Sequence, residues 1–142
     1  MLFNTQDLRV LKDEIEFIDT AIVPVVSIAF DNEVLTHANN LELMQLISIQ
    51  LEKQLKGRLM ITPAFTTVTD DHTSLIAYKN QLKAYGFKNV VSIAYQDIEL
   101  DGLDHIRVNS IPISDMDNEM KISIINDEVK SVIKQIIGVW NQ

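Results

Sequence analysis

The sequence contains no cysteine among its 142 residues. This absence excludes disulfide bonds, thiolate metal ligands and cysteine nucleophiles, and it is typical of proteins in reducing compartments. The chain also lacks a long hydrophobic run: the stretch from Ala21 to Phe30 is interrupted by Pro24. It is far shorter than the roughly 20 apolar residues of a membrane-spanning helix. The N-terminal residues do not have the pattern of a signal peptide. We therefore expect a cytoplasmic protein without a membrane segment.

Basic residues are scarce, with 12 lysines and arginines against 20 aspartates and glutamates, for a net charge of −8. Only Lys53, Lys56 and Arg58 cluster, at a predicted helix end where cations stabilise the helix dipole. Nucleic-acid binding requires basic residues concentrated on one surface. The composition therefore argues against partners such as nucleic acids and anionic membranes.

Glycine is equally sparse, and no glycine-rich loop follows the first predicted strand. The four glycines are Gly57, Gly86, Gly102 and Gly138. Dinucleotide and P-loop sites need glycines where the backbone approaches a phosphate, so the sequence argues against both. The chain also contains no G-x-S-x-G or H-E-x-x-H motif. No cofactor is evident from the sequence.

Four segments rich in β-branched residues predict strands, at residues 20–30, 58–65, 89–95 and 106–113. Apolar residues at helical spacing predict helices over residues 5–17, from Leu41 to Leu55, before Gly86 and near the C-terminus. We expect Thr5 to cap the first helix, and Asp115 or Asp117 to cap the last. Pro24 cannot donate to a β-ladder, which predicts a bulge or an early strand start.

The alternation of strands and helices predicts an α/β fold, formed by residues 1–142 as a single domain. The expected architecture is a small three-layer α/β/α sandwich with a mainly parallel four-stranded sheet and extra N-terminal and C-terminal helices. Right-handed crossovers favour the strand order 2-1-3-4. The short link before the fourth strand leaves that strand either parallel or antiparallel.

Polar residues follow the predicted strands at their carboxyl ends, where parallel sheets bind ligands. The candidate ligand-binding residues are Asp31, Thr66, Asp71, His72, Gln96 and Asp115. Carboxylate oxygens suit Mg²⁺ and can also act as acids or bases. The alternative is that these residues cap helices and solvate loops. His72 is the histidine that we would test first.

The predicted helix from Leu41 to Leu55 is apolar around more of its circumference than one face of a sheet requires. Either a terminal helix covers the surplus, which we favour, or a second subunit does. The leading hypothesis is a non-catalytic cytoplasmic module that acts through protein–protein contacts, with a protein partner or a homodimer formed through this helix. The alternative is a small enzyme or ligand-binding domain with an acidic, Mg²⁺-dependent site at the strand ends.

The order of several segments resembles the YpiF-like family of small Firmicutes proteins. The segments are the apolar strand at residues 22–30, LEKQLKGR at 51–58, ITPAFT at 61–66 and IPISDMDNEMK at 111–121. The resemblance spans nearly the whole chain and implies a small bacterial cytoplasmic protein. It carries no established activity, so it assigns no site residue.

Overall fold

The computed structural model describes residues 1–68, 72–96, 98 and 105–142. In chain order, the elements of the described residues are α1 (Thr5–Glu14), β1 (Thr20–Ser27), α2 (Val34–Gln54), β2 (Leu59–Ile61), β3 (Phe65–Thr67), α3 (Thr73–Tyr85), β4 (Asn89–Tyr95), β5 (His105–Val108) and α4 (Asn118–Trp140). None of these helices combines the length and hydropathy needed to cross a bilayer.

The strands form a parallel sheet in the order β2-β1-β4-β5, and β3 also pairs with β1. The α/β class is confirmed, and so is the predicted order 2-1-3-4 of the four strand segments. The last strand, which the sequence left in either orientation, is parallel: Ile106 of β5 lies opposite Ile93 of β4.

The predicted four-stranded sheet has five strands, because the second predicted strand is divided. β2 pairs with residues 20–22 of β1, whereas β3 pairs with residues 25–27. Between them lies Pro63, which has no N–H to donate. Pro24 of β1 faces this break and pairs only with Ile93 of β4. Two residues of β1, Val23 and Pro24, therefore face three residues, 62–64, of the partner segment. This one-residue excess is a bulge in the partner segment opposite Pro24, one of the two predicted alternatives, whereas β1 itself starts at Thr20 and runs through the proline.

The sheet separates two hydrophobic cores. Ile22 of β1 packs in the same cluster as Ile47 of α2 and Val129 of α4. The next residue, Val23, packs on the opposite face with Leu75 of α3. This alternation follows from the two-residue period of side chains along a strand. The helices accordingly form the two outer layers of the predicted sandwich.

Asparagine and aspartate side chains fix the first turns of two helices. Asn4, not the expected Thr5, caps α1, since its Oδ1 accepts a hydrogen bond from the Asp7 backbone N–H at 2.7 Å. Asp117 caps α4 by accepting a hydrogen bond from the Met120 N–H at 2.8 Å. Of the two predicted caps, Asp115 and Asp117, the second is therefore the one observed. A side-chain cap of this kind typically contributes about 1 kcal/mol.

Two helix bounds differ from the sequence prediction. α2 begins at Val34, seven residues before Leu41, because Asp31 Oδ1 accepts from the Glu33 N–H and forms the turn that starts it. α1 ends at Glu14 instead of residue 17. Apolar periodicity locates the buried part of a helix, whereas its polar ends depend on such local hydrogen bonds.

The end of α4 is fastened to the amino end of β1. Trp140 Nε1 donates to Thr20 Oγ1 at 2.7 Å, and the Arg58 guanidinium lies 4.3 Å from the centroid of the Trp140 ring. Both contacts join residues far apart in sequence, so they hold the C-terminal helix on the face that it shares with α2.

Replacement of Ser92 is expected to stabilise the fold. Ser92 on β4 is fully buried, and its hydroxyl has no hydrogen-bond partner in the described structure. An unsatisfied buried hydroxyl costs about 1–3 kcal/mol. Ser92→Ala should therefore raise the free energy of unfolding by about 1 kcal/mol, measured by urea denaturation.

The matched control is Ser110→Ala, because Ser110 Oγ donates to Asn40 Oδ1 at 2.6 Å. This variant should lose about 1 kcal/mol. Equal destabilisation of both variants would contradict the assignment of Ser92 as an unsatisfied group.

Candidate functional site

The carboxyl ends of the parallel strands share one edge of the sheet. After β1 the chain crosses to β2 on one side of that strand. After β3 it crosses back to β4, on the other side of β1. In open α/β sheets, ligands bind outside the carboxyl ends of the strands where the crossover direction reverses. The segments that follow β1 and β4 therefore frame the expected binding position.

A serine and a histidine meet at the carboxyl end of β1. Ser27 ends the strand, His37 lies in the first turns of α2, and Ser27 Oγ is 3.2 Å from His37 Nδ1. A serine nucleophile pairs with an imidazole base in this way, but it also needs a group that orients the imidazole. No described carboxylate bonds to His37, so the observed pair fastens α2 to β1. The sequence analysis missed it, because it began α2 only at Leu41.

Three of the predicted site residues lie near β1 and α3, and no hydrogen bond of the described structure joins them. Asp31 accepts the Glu33 N–H before α2, so its carboxylate serves the helix start. Thr66 lies on β3 opposite Val26, and its side chain is exposed. His72 is half-buried at the N-cap position of α3 and makes no capping hydrogen bond. Asp71 lies outside the described residues.

Gln96 belongs to a different polar group, beside β4 and β5. Its Nε2 donates to Asn109 Oδ1 at 2.9 Å. Asn109 in turn donates from Nδ2 to Glu128 Oε1 at 2.9 Å and from its backbone N–H to Oε2 at 3.2 Å. Glu128 is only 7% exposed on α4, so this carboxylate holds the end of β5 against the helix. Asp115, the remaining candidate, is exposed before α4.

Two asparagines of α2 bond to β4 and to the chain that follows β5. Asn39 Nδ2 donates to the Ile111 carbonyl, and Asn39 Oδ1 accepts from the Ile113 N–H, each at 2.9 Å. The Tyr95 hydroxyl donates to the backbone carbonyl of the buried Asn40. The sequence analysis did not single out these residues. The signal available was the pair of asparagines directly before the predicted start of the helix at Leu41, since asparagine is a poor helix former whose side chain can both donate and accept hydrogen bonds.

The polar groups at this edge thus bond mainly to backbone and to amides. Within the described ranges, no cluster of three or more histidine, aspartate or glutamate side chains is arranged to hold a metal ion. Among the residues that the structure describes, no hydrogen bond joins two of the predicted site residues. The predicted site at the strand ends therefore remains a prediction.

An apolar groove lies instead between α2 and α4. Leu43, Met44, Ile47 and Leu51 of α2 are completely buried, so intramolecular packing covers most of the surplus apolar surface. A groove of about 260 Å³ remains beside them. The residues that line it include Leu46, Ile49 and Gln50 of α2 and Lys121, Ile122 and Asn126 of α4.

The sequence as a whole matches a family model. The family is described as a protein of unknown function, DUF2487, and its model covers residues 9–140. The chain belongs to the DUF2487 family. The resemblance to YpiF-like proteins is confirmed as well, since the chain is 26% identical over 131 residues to the uncharacterized protein YpiF of Bacillus subtilis (strain 168). That alignment covers 89% of this chain and 88% of YpiF. No solved structure shows a significant match.

In this DUF2487 chain, loss of the Glu128 carboxylate is expected to release the end of β5. Glu128→Ala leaves the N–H and the amide of Asn109 without their acceptor, which should lower the free energy of unfolding by about 2 kcal/mol. Urea denaturation measures the loss, and hydrogen exchange at the Asn109 amide should become faster.

Asp127→Ala is the matched control, because Asp127 is the exposed neighbour of Glu128 on the same helix. It should change stability by less than about 0.5 kcal/mol. If the two variants lost the same stability, the Glu128 contacts would not be holding the segment.

Proposed function

We propose that this protein is a non-catalytic interaction module whose contact surface is the α2–α4 groove, and that the groove binds a second copy of the chain. The observation that carries the proposal is the exposure of two isoleucines across the groove. Ile49 of α2 is 47% exposed and Ile122 of α4 is 58% exposed. Apolar side chains grouped around a groove favour protein association, whereas single exposed ones need no explanation.

The charge of the chain favours this groove over other surfaces for self-association. Two copies of a chain with a net charge of −8 repel each other through most of their surface. Lys121 is the single charged residue that lines the groove in the described structure. A contact centred here therefore brings together two grooves whose described lining contains no carboxylate.

The groove also carries features that a two-fold interface would use. In such an interface the same patch appears on both subunits, so it must supply protrusions and recesses together. Ile122 protrudes, while Leu46 is partly buried at the wall of the groove. Gln50 and Asn126 each carry a donor and an acceptor, so they can pair with their equivalents across a two-fold axis.

Introduction of a carboxylate into the groove is expected to prevent dimer formation. The native chain should have a mass of twice 16.1 kDa in light scattering coupled to size-exclusion chromatography. Ile122→Glu buries an unpaired charge in the proposed interface and should weaken dimerisation at least roughly tenfold.

The control is Ile137→Glu, which places the same charge on the same helix outside the groove. Ile137 is 45% exposed, close to the exposure of Ile122, so the monomer should tolerate both changes. The control variant should remain dimeric. A native mass of 16.1 kDa at every concentration, or dissociation of both variants, would refute the proposed interface.

A second candidate function is a ligand-binding or catalytic site at the carboxyl ends of the strands. The observation in its favour is one of position: besides fastening α2 to β1, Ser27 and His37 lie beside the place where the crossover direction reverses, where a bound ligand would meet them. Asp31 follows Ser27 closely, so this candidate keeps the acidic, Mg²⁺-dependent chemistry that the sequence suggested.

Thermal unfolding with Mg²⁺, and with EDTA as control, tests the second candidate. An ion at 100 times its Kd should add about 2.7 kcal/mol to the free energy of unfolding. Asp31→Ala should remove this increment, whereas Asp13→Ala on the exposed side of α1 should retain it. The absence of any Mg²⁺-dependent shift in the native chain would count against a magnesium site.

A further inference from the structure

A cavity lies on the opposite face of the sheet from the α2–α4 groove, between α1 and α3. We call it the α1–α3 pocket; it has a volume of about 240 Å³. Its floor includes the buried side chains of Leu11, Met60 and Phe87. A cavity of about 150 Å³ lined by leucine, isoleucine and phenylalanine is large enough to bind benzene. The α1–α3 pocket therefore has room for a molecule of about two fused rings.

Aromatic rings form the sides of this pocket. Tyr78 of α3 stacks on Phe65 with a centroid distance of 6.0 Å and an angle of 20° between the ring planes. Tyr85 packs against Phe87 at 6.1 Å. Aromatic side chains gain about 0.5–1.5 kcal/mol from stacked or edge-to-face contact with another ring. A planar aromatic molecule gains this contact here, whereas an alkyl chain does not.

Phe3 completes the rim and is positioned by the segment around it. The Leu2 N–H donates to Asp7 Oδ2 at 2.9 Å, and Asn4 caps α1. The same Leu2 hydrogen bond holds the pKa of Asp7 below its usual value, which keeps the acceptor ionised. Phe3 itself is 63% exposed, so its ring is free to pack on a molecule in the pocket.

One buried hydroxyl supplies the polar feature of the floor. Thr62 is 3% exposed and lines the pocket. Its hydroxyl donates to the Pro63 carbonyl at 3.2 Å, so its oxygen retains the capacity to accept. No described charged side chain lines the pocket. The lining therefore disfavours ions, and its floor offers one acceptor to a neutral molecule that donates a hydrogen bond.

We propose that the α1–α3 pocket is a binding site for a neutral, planar aromatic molecule of about two fused rings that donates one hydrogen bond to Thr62. The site is independent of the proposed dimer interface, because the sheet lies between them. It also contains neither Ser27 nor the predicted residues at the strand ends.

Indole is a suitable probe, since it has two fused rings and a single N–H donor; naphthalene has the same size and no donor. Two-dimensional amide NMR of the full chain should show concentration-dependent shifts for residues of α1 and α3 with both molecules. Thr62→Val removes the hydroxyl with little change of shape. It should weaken indole binding by roughly fivefold and leave naphthalene binding unchanged.

A variant on the exposed rim tests the location without disturbing the core. Gln81 is an exposed lining residue of α3, so Gln81→Trp should fill the pocket and abolish binding of both molecules. The matched control is Gln50→Trp in the α2–α4 groove, which should leave indole binding unchanged. The NMR spectra also report whether each variant is folded.

The proposal is overturned if indole causes no shifts in the native chain, or if binding persists in Gln81→Trp. Equal weakening of indole and naphthalene by Thr62→Val would overturn the hydrogen bond to Thr62. These results are independent of the mass measurement for the dimer, so the two proposals succeed or fail separately.

Discussion

Burial of β1 on both faces and along both edges is the constraint on which the rest of the structure depends. Residues 20–26 are almost completely inaccessible to solvent. The strand pairs with β2 and β3 on one side and with β4 on the other, while its side chains alternate between two cores. Such a strand has no solvated surface, so a run of β-branched residues is favoured throughout. Helices are consequently required on both sides of the sheet.

The polar groups at the carboxyl edge are used largely by the fold itself. Glu128 accepts from Asn109, and Asn39 bonds to the backbone of the chain after β5. Each bond satisfies a group that burial would otherwise penalise. Side chains engaged in this way are not available to bind a ligand without loss of stability. The two apolar pockets, by contrast, have lining side chains whose packing is incomplete, and this is why they carry the proposals.

The sequence was most informative where a feature depends on local pattern. The run through residues 20–27 predicts a doubly buried strand, and the alternation of strands and helices predicts the order of the sheet. The division into β2 and β3 was not predicted, because it depends on Pro24 and Pro63 facing the same gap. The Ser27–His37 contact required the true start of α2, which is set by the hydrogen bond from Glu33 to Asp31. The α1–α3 pocket joins residues from three distant stretches of the chain, 3–11, 60–62 and 78–87, and no spacing rule reveals such a cavity.

The net charge of the chain is expected to affect binding at the two surfaces differently. The α2–α4 groove is nearly neutral but is surrounded by an acidic molecule, so approach of a second copy is opposed by long-range repulsion. At physiological ionic strength this repulsion is screened beyond about 8 Å, whereas contacts inside the groove are not affected. Salt should therefore strengthen dimerisation. A neutral molecule in the α1–α3 pocket experiences no net force from the same field, and its affinity should be insensitive to salt. The same net charge would thus oppose association at the proposed dimer interface and have no effect on the proposed aromatic site.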